Sequence, residues 1–80
     1  MKRVDDTAEL TDAEAESVAQ AVDIYRRQPT SPSFFETVPM RDESGRLCEV
    51  RFFLDSDTQH PLAVIRIADD GALAPMQDLR

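Results

Sequence analysis

The chain has 80 residues, of which 41% are hydrophobic and 31% charged, and sixteen acidic against nine basic side chains give it a net charge of −7. Its length allows one small domain, and its acidity argues against binding to nucleic-acid phosphates or to an anionic membrane surface, both of which need clustered Lys and Arg. No apolar run reaches the roughly 18 residues of a membrane-spanning helix, and residues 1–9 lack the apolar core of a secretory signal, so we expect a soluble cytoplasmic protein. Residues 1–9 are mostly polar, and we expect them to be flexible.

The first predicted element is a helix from about Asp12 to Arg27. Thr11 and Glu14 have the spacing of a capping box, in which each side chain accepts a hydrogen bond from the other residue's backbone N–H. Pro29 ends the helix because it cannot continue the backbone hydrogen bonding. One helix face is apolar and the opposite face is polar and mostly acidic, which predicts that the helix packs on one side only. The apolar face consists of Ala15, Val18, Ala21, Val22 and Tyr25, and the polar face of Glu9, Asp12, Glu16, Gln20 and Asp23.

After a Pro- and Ser-rich linker the apolar residues alternate with polar ones, which is typical of strands. Three segments show this pattern: Phe34 to Arg41, Leu47 to Asp55 and Leu62 to Ala68. The last segment, Ala72 to Arg80, is compatible with a short strand, a helical turn or a tail. The sequence therefore predicts an α+β fold, with one amino-terminal helix packed on a three-stranded antiparallel meander and a short carboxy-terminal element of open type.

The second hairpin has a well-defined predicted register. Setting Val50 across from Ile65 gives one uninterrupted apolar face, and it also sets Glu49 across from Arg66, which is a favourable cross-strand pair. A shift by one residue would pair polar with apolar side chains on both faces. We therefore predict this register for the second and third strands.

The first hairpin allows two registers. A four-residue turn sets Glu36 opposite Arg51 and leaves Val38 and Met40 on the face away from the helix. A register that differs by one residue moves Val38 and Met40 to the helix side and buries Glu36 with them. In either register Pro39 favours an edge position, since it has no backbone N–H to donate.

A single helix covers only one face of such a sheet, and we call the uncovered face the outer face. Its mixture of apolar and charged side chains is typical of protein interfaces. The candidate partner-binding residues are Phe53, Leu62, Val64, Arg51 and Arg66. The alternative is that the carboxy-terminal segment, with Leu73, Met76 and Leu79, folds back and covers this face.

The single histidine, His60, lies near Asp55 and Asp57, a grouping that could bind a metal or transfer a proton. The spacing lacks the Gly and the distal Glu of a calcium loop, so we interpret the stretch as an exposed four-residue turn closed by an Asp55–His60 pair. Cys48 lies at the far end of the hairpin from His60 and on the opposite face, beyond the reach of a Cys–His pair. We interpret it as a buried apolar residue and predict no catalytic, metal or cofactor site.

Three hypotheses for function follow. The leading one is a small acidic interaction or regulatory protein of bacterial type, not an enzyme, that binds a protein partner or a second copy of itself through the outer face. The second is an acidic mimic of nucleic acid that occupies a basic partner with its acidic helix face. The third is a small metal-binding or hydrolytic protein that uses His60, Asp55 and Asp57.

Overall fold

The computed structural model describes residues 1–80 and consists of one helix packed on a five-stranded antiparallel sheet in the order β1-β2-β3-β4-β5. The α+β class and the meander order agree with the sequence prediction, but the sheet has five strands and not three. The two additional strands are the outermost ones and are two residues long, which is too short for an alternating pattern to reveal them. The elements are β1 (Lys2–Arg3), one turn of 3-10 helix (Thr7–Glu9), α1 (Asp12–Arg26), β2 (Phe35–Arg41), β3 (Leu47–Leu54), β4 (Ala63–Arg66) and β5 (Gln77–Asp78).

The helix begins where the capping box predicts. The Thr11 hydroxyl accepts from the Glu14 backbone N–H at 3.1 Å, and the Thr11 N–H donates to Glu14 Oε1 at 2.9 Å. These bonds occupy two of the N–H groups that a helix start leaves without a partner. Toward the other end, Ala21 and Tyr25 are buried against the sheet, as the apolar face predicts, whereas Ala15 is exposed.

The core between α1 and the sheet is centred on three aromatic rings. Tyr25 stacks on Phe52 with ring centroids 4.5 Å apart and contacts Phe35 at 4.4 Å. The Tyr25 hydroxyl donates to the Pro32 carbonyl at 3.1 Å, so the phenol is both packed and hydrogen-bonded. The aliphatic residues packed with these rings are Ala21, Leu47, Val50, Ala63, Ile65 and Ile67.

A guanidinium group links the start of the helix to the first hairpin. The Arg41 Nη1 atom lies 2.6 Å from Glu14 Oε2, and Nη2 lies 3.1 Å from Oε1, which is a two-pronged ion pair. Arg41 also donates to the carbonyls of Gly45 and Glu9, at 3.0 and 2.9 Å. Glu14 therefore caps the helix and holds Arg41 at the same time, and the sequence did not predict the second role.

The register of the second hairpin is confirmed. Val50 is paired with Ile65, and Glu49 with Arg66. The regular pairing ends at Phe52, short of the turn, so it does not extend to the predicted closing pair.

The first hairpin has neither of the two predicted registers. Glu36 lies opposite Phe53, and Val38 lies opposite Arg51. The connecting loop is one residue longer than predicted, and Cys48 adds a further residue to β3 as a β-bulge near the turn. Because the total shift is two residues, every side chain of β2 keeps the face that the four-residue turn predicted.

The turn of this hairpin depends on a glycine. Gly45 has φ of 87°, and its N–H donates to the Asp42 carbonyl at 3.0 Å. The Asp42 carboxylate accepts from the backbone N–H groups of Ser44 and Arg46, which fixes the turn further. A left-handed backbone is costly for any residue with a Cβ atom.

We expect Gly45→Ala to lower the free energy of unfolding by about 1 kcal/mol, although no atom lies within 4 Å of the added Cβ. Urea unfolding followed by circular dichroism measures the change. Glu43→Ala, an exposed change in the same turn, is the matched control and should stay near the wild-type value. Equal unfolding midpoints for the two variants would show that the left-handed backbone at Gly45 does not make Gly45→Ala less stable.

Both ends of the chain form edge strands. Residues 1–9, which we expected to be flexible, contain β1 and the 3-10 turn, and Val4 is buried. The Val4 N–H donates to the Pro39 carbonyl at 2.8 Å, so Pro39 does not have the edge position that we predicted. Proline returns no hydrogen bond to Val4 because it has no N–H. At the other end, the segment Ala72 to Arg80 contains a two-residue strand, β5, which pairs with the edge of β4.

Candidate functional site: the outer face of the sheet

The outer face is the sheet surface turned away from α1. Core residues occupy alternate positions of each strand, and the residues between them project from the outer face. No helix packs on this side. Its residues are Arg3, Glu36, Val38, Met40, Glu49, Arg51, Phe53, Leu62, Val64, Arg66, Gln77 and Leu79.

A second apolar cluster lies at the centre of the outer face. Val38, Met40 and Phe53 pack together and are all buried. Phe53 and Val64, which we predicted to be exposed, are only 7% and 4% exposed. The actual register of β2 places Val38 and Met40 beside Phe53, and pairing with β5 makes β4 an interior strand, which screens Val64. Leu62 is half-buried.

An ion pair lies over this cluster. Arg51 Nε is 3.3 Å from Glu49 Oε2, and Glu49 is only 6% exposed. Arg51 Nη2 also lies 3.4 Å from the Met1 sulfur. Glu49 and Arg66 are aligned as predicted, but Glu49 forms its ion pair with Arg51, and the exposed Arg66 has no ion-pair partner.

Exposed apolar side chains border the outer face. The three large apolar residues that remain exposed are Met1 at 67%, Phe34 at 77% and Leu79 at 44%. Met1 contacts Arg51 on this face, and the Leu79 N–H bonds to the carbonyl of Leu62, its neighbour there. Phe34 directly precedes β2, at the end of that strand where Phe35 pairs with Leu54.

The carboxy-terminal segment does not cover the outer face. Leu73 and Met76 pack against the core on the helix side of the sheet, and Leu79 is 44% exposed. The alternative in which these three residues fold over the outer face is therefore wrong.

The predicted Asp55–His60 pair is also wrong, because His60 pairs with a different aspartate. His60 Nδ1 lies 3.2 Å from Asp57 Oδ2. The chain turns sharply after β3, with the Asp57 N–H donating to the Leu54 carbonyl, and this brings Asp57 beside the histidine in place of Asp55. The Gln59 backbone N–H and His60 hold the pKa of Asp57 below its usual value. No three His, Cys, Asp or Glu side chains come together as metal ligands.

We expect His60→Ala to leave both the thermal unfolding midpoint and the metal content of the purified protein unchanged. The ring is 86% exposed and contacts one exposed turn, and such pairs contribute little. Differential scanning calorimetry and elemental analysis are the measurements, with Thr58→Ala in the same turn as control. A specific loss of bound metal in the His60 variant would contradict this interpretation.

Cys48 lies on the outer-face cluster and not in the helix-side core as predicted, because the β-bulge rotates it out of the alternating pattern. It is half-buried, with its sulfur 3.5 Å from the Met40 carbonyl oxygen. Burial raises the pKa of the thiol, and the nearby Glu49 raises it further. A thiol whose pKa is raised is a poor nucleophile.

The acidic helix face has the exposure that its pattern predicts. Glu9, Asp12, Glu16, Gln20 and Asp23 are all exposed. None of their side chains forms an ion pair.

Comparison of the chain with family models, with curated proteins and with solved structures found no match in any of the three. The structure contains no helix with the length and hydrophobicity that crossing a bilayer requires.

Proposed function

We propose that this chain is a small interaction protein, not an enzyme, that binds a protein partner through the outer face of its sheet. The proposal rests on one combination of features on a face that no other element covers. The buried apolar cluster around Phe53 lies at the centre, the exposed side chains of Met1 and Leu79 lie at the border, and Arg66 has no ion-pair partner. Interfaces commonly have an apolar centre with charged residues around it.

The five predicted residues would have two different roles in this interface. Arg51, Leu62 and Arg66 have accessible side chains and would contact the partner. Phe53 and Val64 are buried and would form the floor that holds the contacting side chains in place.

The charges of the outer face differ from those of the whole chain. Three arginines against two glutamates leave one net positive charge on this face, while the chain carries −7. Because both signs are present, the face can complement a protein with a similar mixture, including a second copy related by a two-fold axis.

Light scattering coupled to size exclusion distinguishes a second copy from another protein. If copies pair through the outer face, the wild type should change from monomer to dimer as its concentration rises, and Leu79→Asp should stay monomeric. A monomer at every concentration would exclude the homodimer and leave a different protein as the partner.

The interaction itself is tested by reversing a charge. Arg66→Glu should weaken partner binding by roughly tenfold or more, since a like-charge contact replaces an attractive one. Arg27→Glu places the same change at the end of the helix, on the other layer, and should bind like the wild type. Unchanged binding by Arg66→Glu would contradict the proposal.

The acidic helix face supports a second candidate function, mimicry of nucleic acid toward a basic partner. Its support is that these carboxylates are exposed and form no ion pairs with the chain's own arginines. If this is the function, replacing Asp12, Glu16 and Asp23 by their amides should abolish a binding that also weakens steeply with salt. Retained binding would exclude it.

A further inference from the structure

Half of β2 has an open edge. β3 pairs with one side of β2 along its whole length, but on the other side β1 pairs only with the last two residues of β2, and the Val4 N–H reaches Pro39. In a strand, every second residue directs its backbone groups to the same side, so Phe35 and Thr37 direct theirs to the same edge as Pro39. β1 does not pair with these two residues, and no turn or loop backbone hydrogen bond occupies their groups.

Two side chains along this open edge are exposed, those of Phe34 and Glu36, whereas Phe35 and Thr37 are half-buried. Glu36 forms no ion pair, and Phe34, two residues before it, is 77% exposed, while Val38 on its other side is buried. A sheet edge with unpaired N–H and C=O groups is a template for an additional strand. Each of the two edge residues offers one donor and one acceptor.

We propose that this edge binds an extended peptide segment by β-strand addition, and that the segment carries a basic side chain with an apolar one beside it. Its backbone would pair with Phe35 and Thr37, which is a recognised mode of peptide recognition. The basic side chain would meet the Glu36 carboxylate, and an apolar side chain beside it would meet the exposed ring of Phe34. The net charge of −7 attracts a basic segment further.

A second copy of the chain fits this edge poorly. Antiparallel pairing that uses both edge residues would set Phe35 of one copy against Thr37 of the other. Glu36 would then face Glu36 of the second copy, and like charges directly opposite are destabilising. Pairing with a basic peptide avoids this repulsion.

The edge site does not rest on the outer-face proposal. It uses backbone groups of β2 and the side chains of Phe34 and Glu36, whereas the outer-face interface is tested at Arg66 and Leu79, two and three strands away. A change at Arg66 should therefore leave peptide binding at the edge intact, so one proposal can fail while the other stands.

The test uses the full chain and a blocked synthetic peptide, acetyl-Thr-Val-Thr-Lys-Thr-Val-Thr-amide, with a matched peptide in which Glu replaces Lys. Nuclear magnetic resonance titration and amide hydrogen exchange are the measurements. The Lys peptide should slow exchange at Phe35 and Thr37 by roughly tenfold or more and should bind roughly fivefold more tightly than the Glu peptide. Glu36→Lys should reverse that preference.

A backbone variant separates strand addition from simple charge attraction. Thr37→Pro removes one edge donor and leaves the bonds to β3 intact, as Pro39 already does two residues on, so it should abolish binding of the Lys peptide. If Thr37→Pro does not fold, a Lys peptide N-methylated at the two threonines beside the lysine tests the same bonds and should not bind.

Three results would overturn the proposal. The first is equal binding of the Lys and Glu peptides. The second is binding that shifts other resonances without slowing exchange at Phe35 and Thr37. The third is slow exchange at those two amides in the absence of peptide, with protection that increases as the protein concentration rises. This would show that a second copy occupies the edge.

Discussion

Phe53→Ala should lower the free energy of unfolding by about 3 kcal/mol, the lower end of what deleting a buried phenylalanine ring costs. Phe53 is 7% exposed and packs with Val38 and Met40 on a face that has no helix over it. A domain of this size has a total stability of roughly 4–12 kcal/mol, so the loss would be large. Chemical denaturation followed by circular dichroism measures it.

Phe34→Ala is the matched control for that variant. It removes the same ring from a position that is 77% exposed at the border of the same face, and the change in stability should lie within about 0.5 kcal/mol. Equal losses for the two variants would show that the outer-face cluster does not act as a second core. A large loss for Phe34→Ala alone would place the stabilising contact at the border.

The second large effect is expected at Glu14. Glu14→Gln keeps an acceptor for the capping box, since Gln serves at that position, but it removes the charge that binds Arg41. We expect a loss of about 1–2 kcal/mol at neutral pH, because both side chains of this pair are about four-fifths buried. Glu16→Gln, an exposed change two residues further along the helix at a side chain with no ion pair, is the control and should have little effect.

The stability difference between the wild type and Glu14→Gln should depend on pH. Hydrogen bonds from Arg41 and from the Thr11 backbone lower the pKa of Glu14 from 4.5 to about 2. As the pH falls, the unfolded chain takes up this proton before the folded protein does, so the stabilisation is complete above about 4.5 and is lost between 4.5 and 2. Thermal unfolding of both proteins across that range should show their midpoints converging. A constant difference would contradict the lowered pKa.

The parts of the fold that the sequence predicts are those that depend on short-range patterns. The capping box fixes the helix start with two residues three positions apart, and the alternation around Val50 and Ile65 allows one register. The first hairpin is different, because alternation identifies faces but does not distinguish registers two residues apart. The bulge at Cys48 leaves no mark in the pattern of apolar residues.

The candidate site was predicted only in outline. Its location on the face away from the helix follows from the apolar stripe of α1, but the burial of Phe53 and Val64 depends on β5 and on the actual register of β2. The Glu14–Arg41 pair joins residues 27 positions apart, and nothing local indicates it. Around His60, the prediction extended the alternation of β3 beyond the last paired residues and therefore chose Asp55 in place of Asp57. The chain forms a tight turn there, and a turn does not continue the alternation of a strand.

The most direct test of the central claim, that the outer face binds a protein partner, is quantitative affinity capture from an extract of the native cell with three baits. The baits are the wild type, Arg66→Glu and the helix-side control Arg27→Glu, each first shown to be folded by circular dichroism. We predict that at least one protein, or the chain itself, is captured equally by the wild type and Arg27→Glu and is lost with Arg66→Glu. Capture of the same proteins in the same amounts by all three baits would contradict the account.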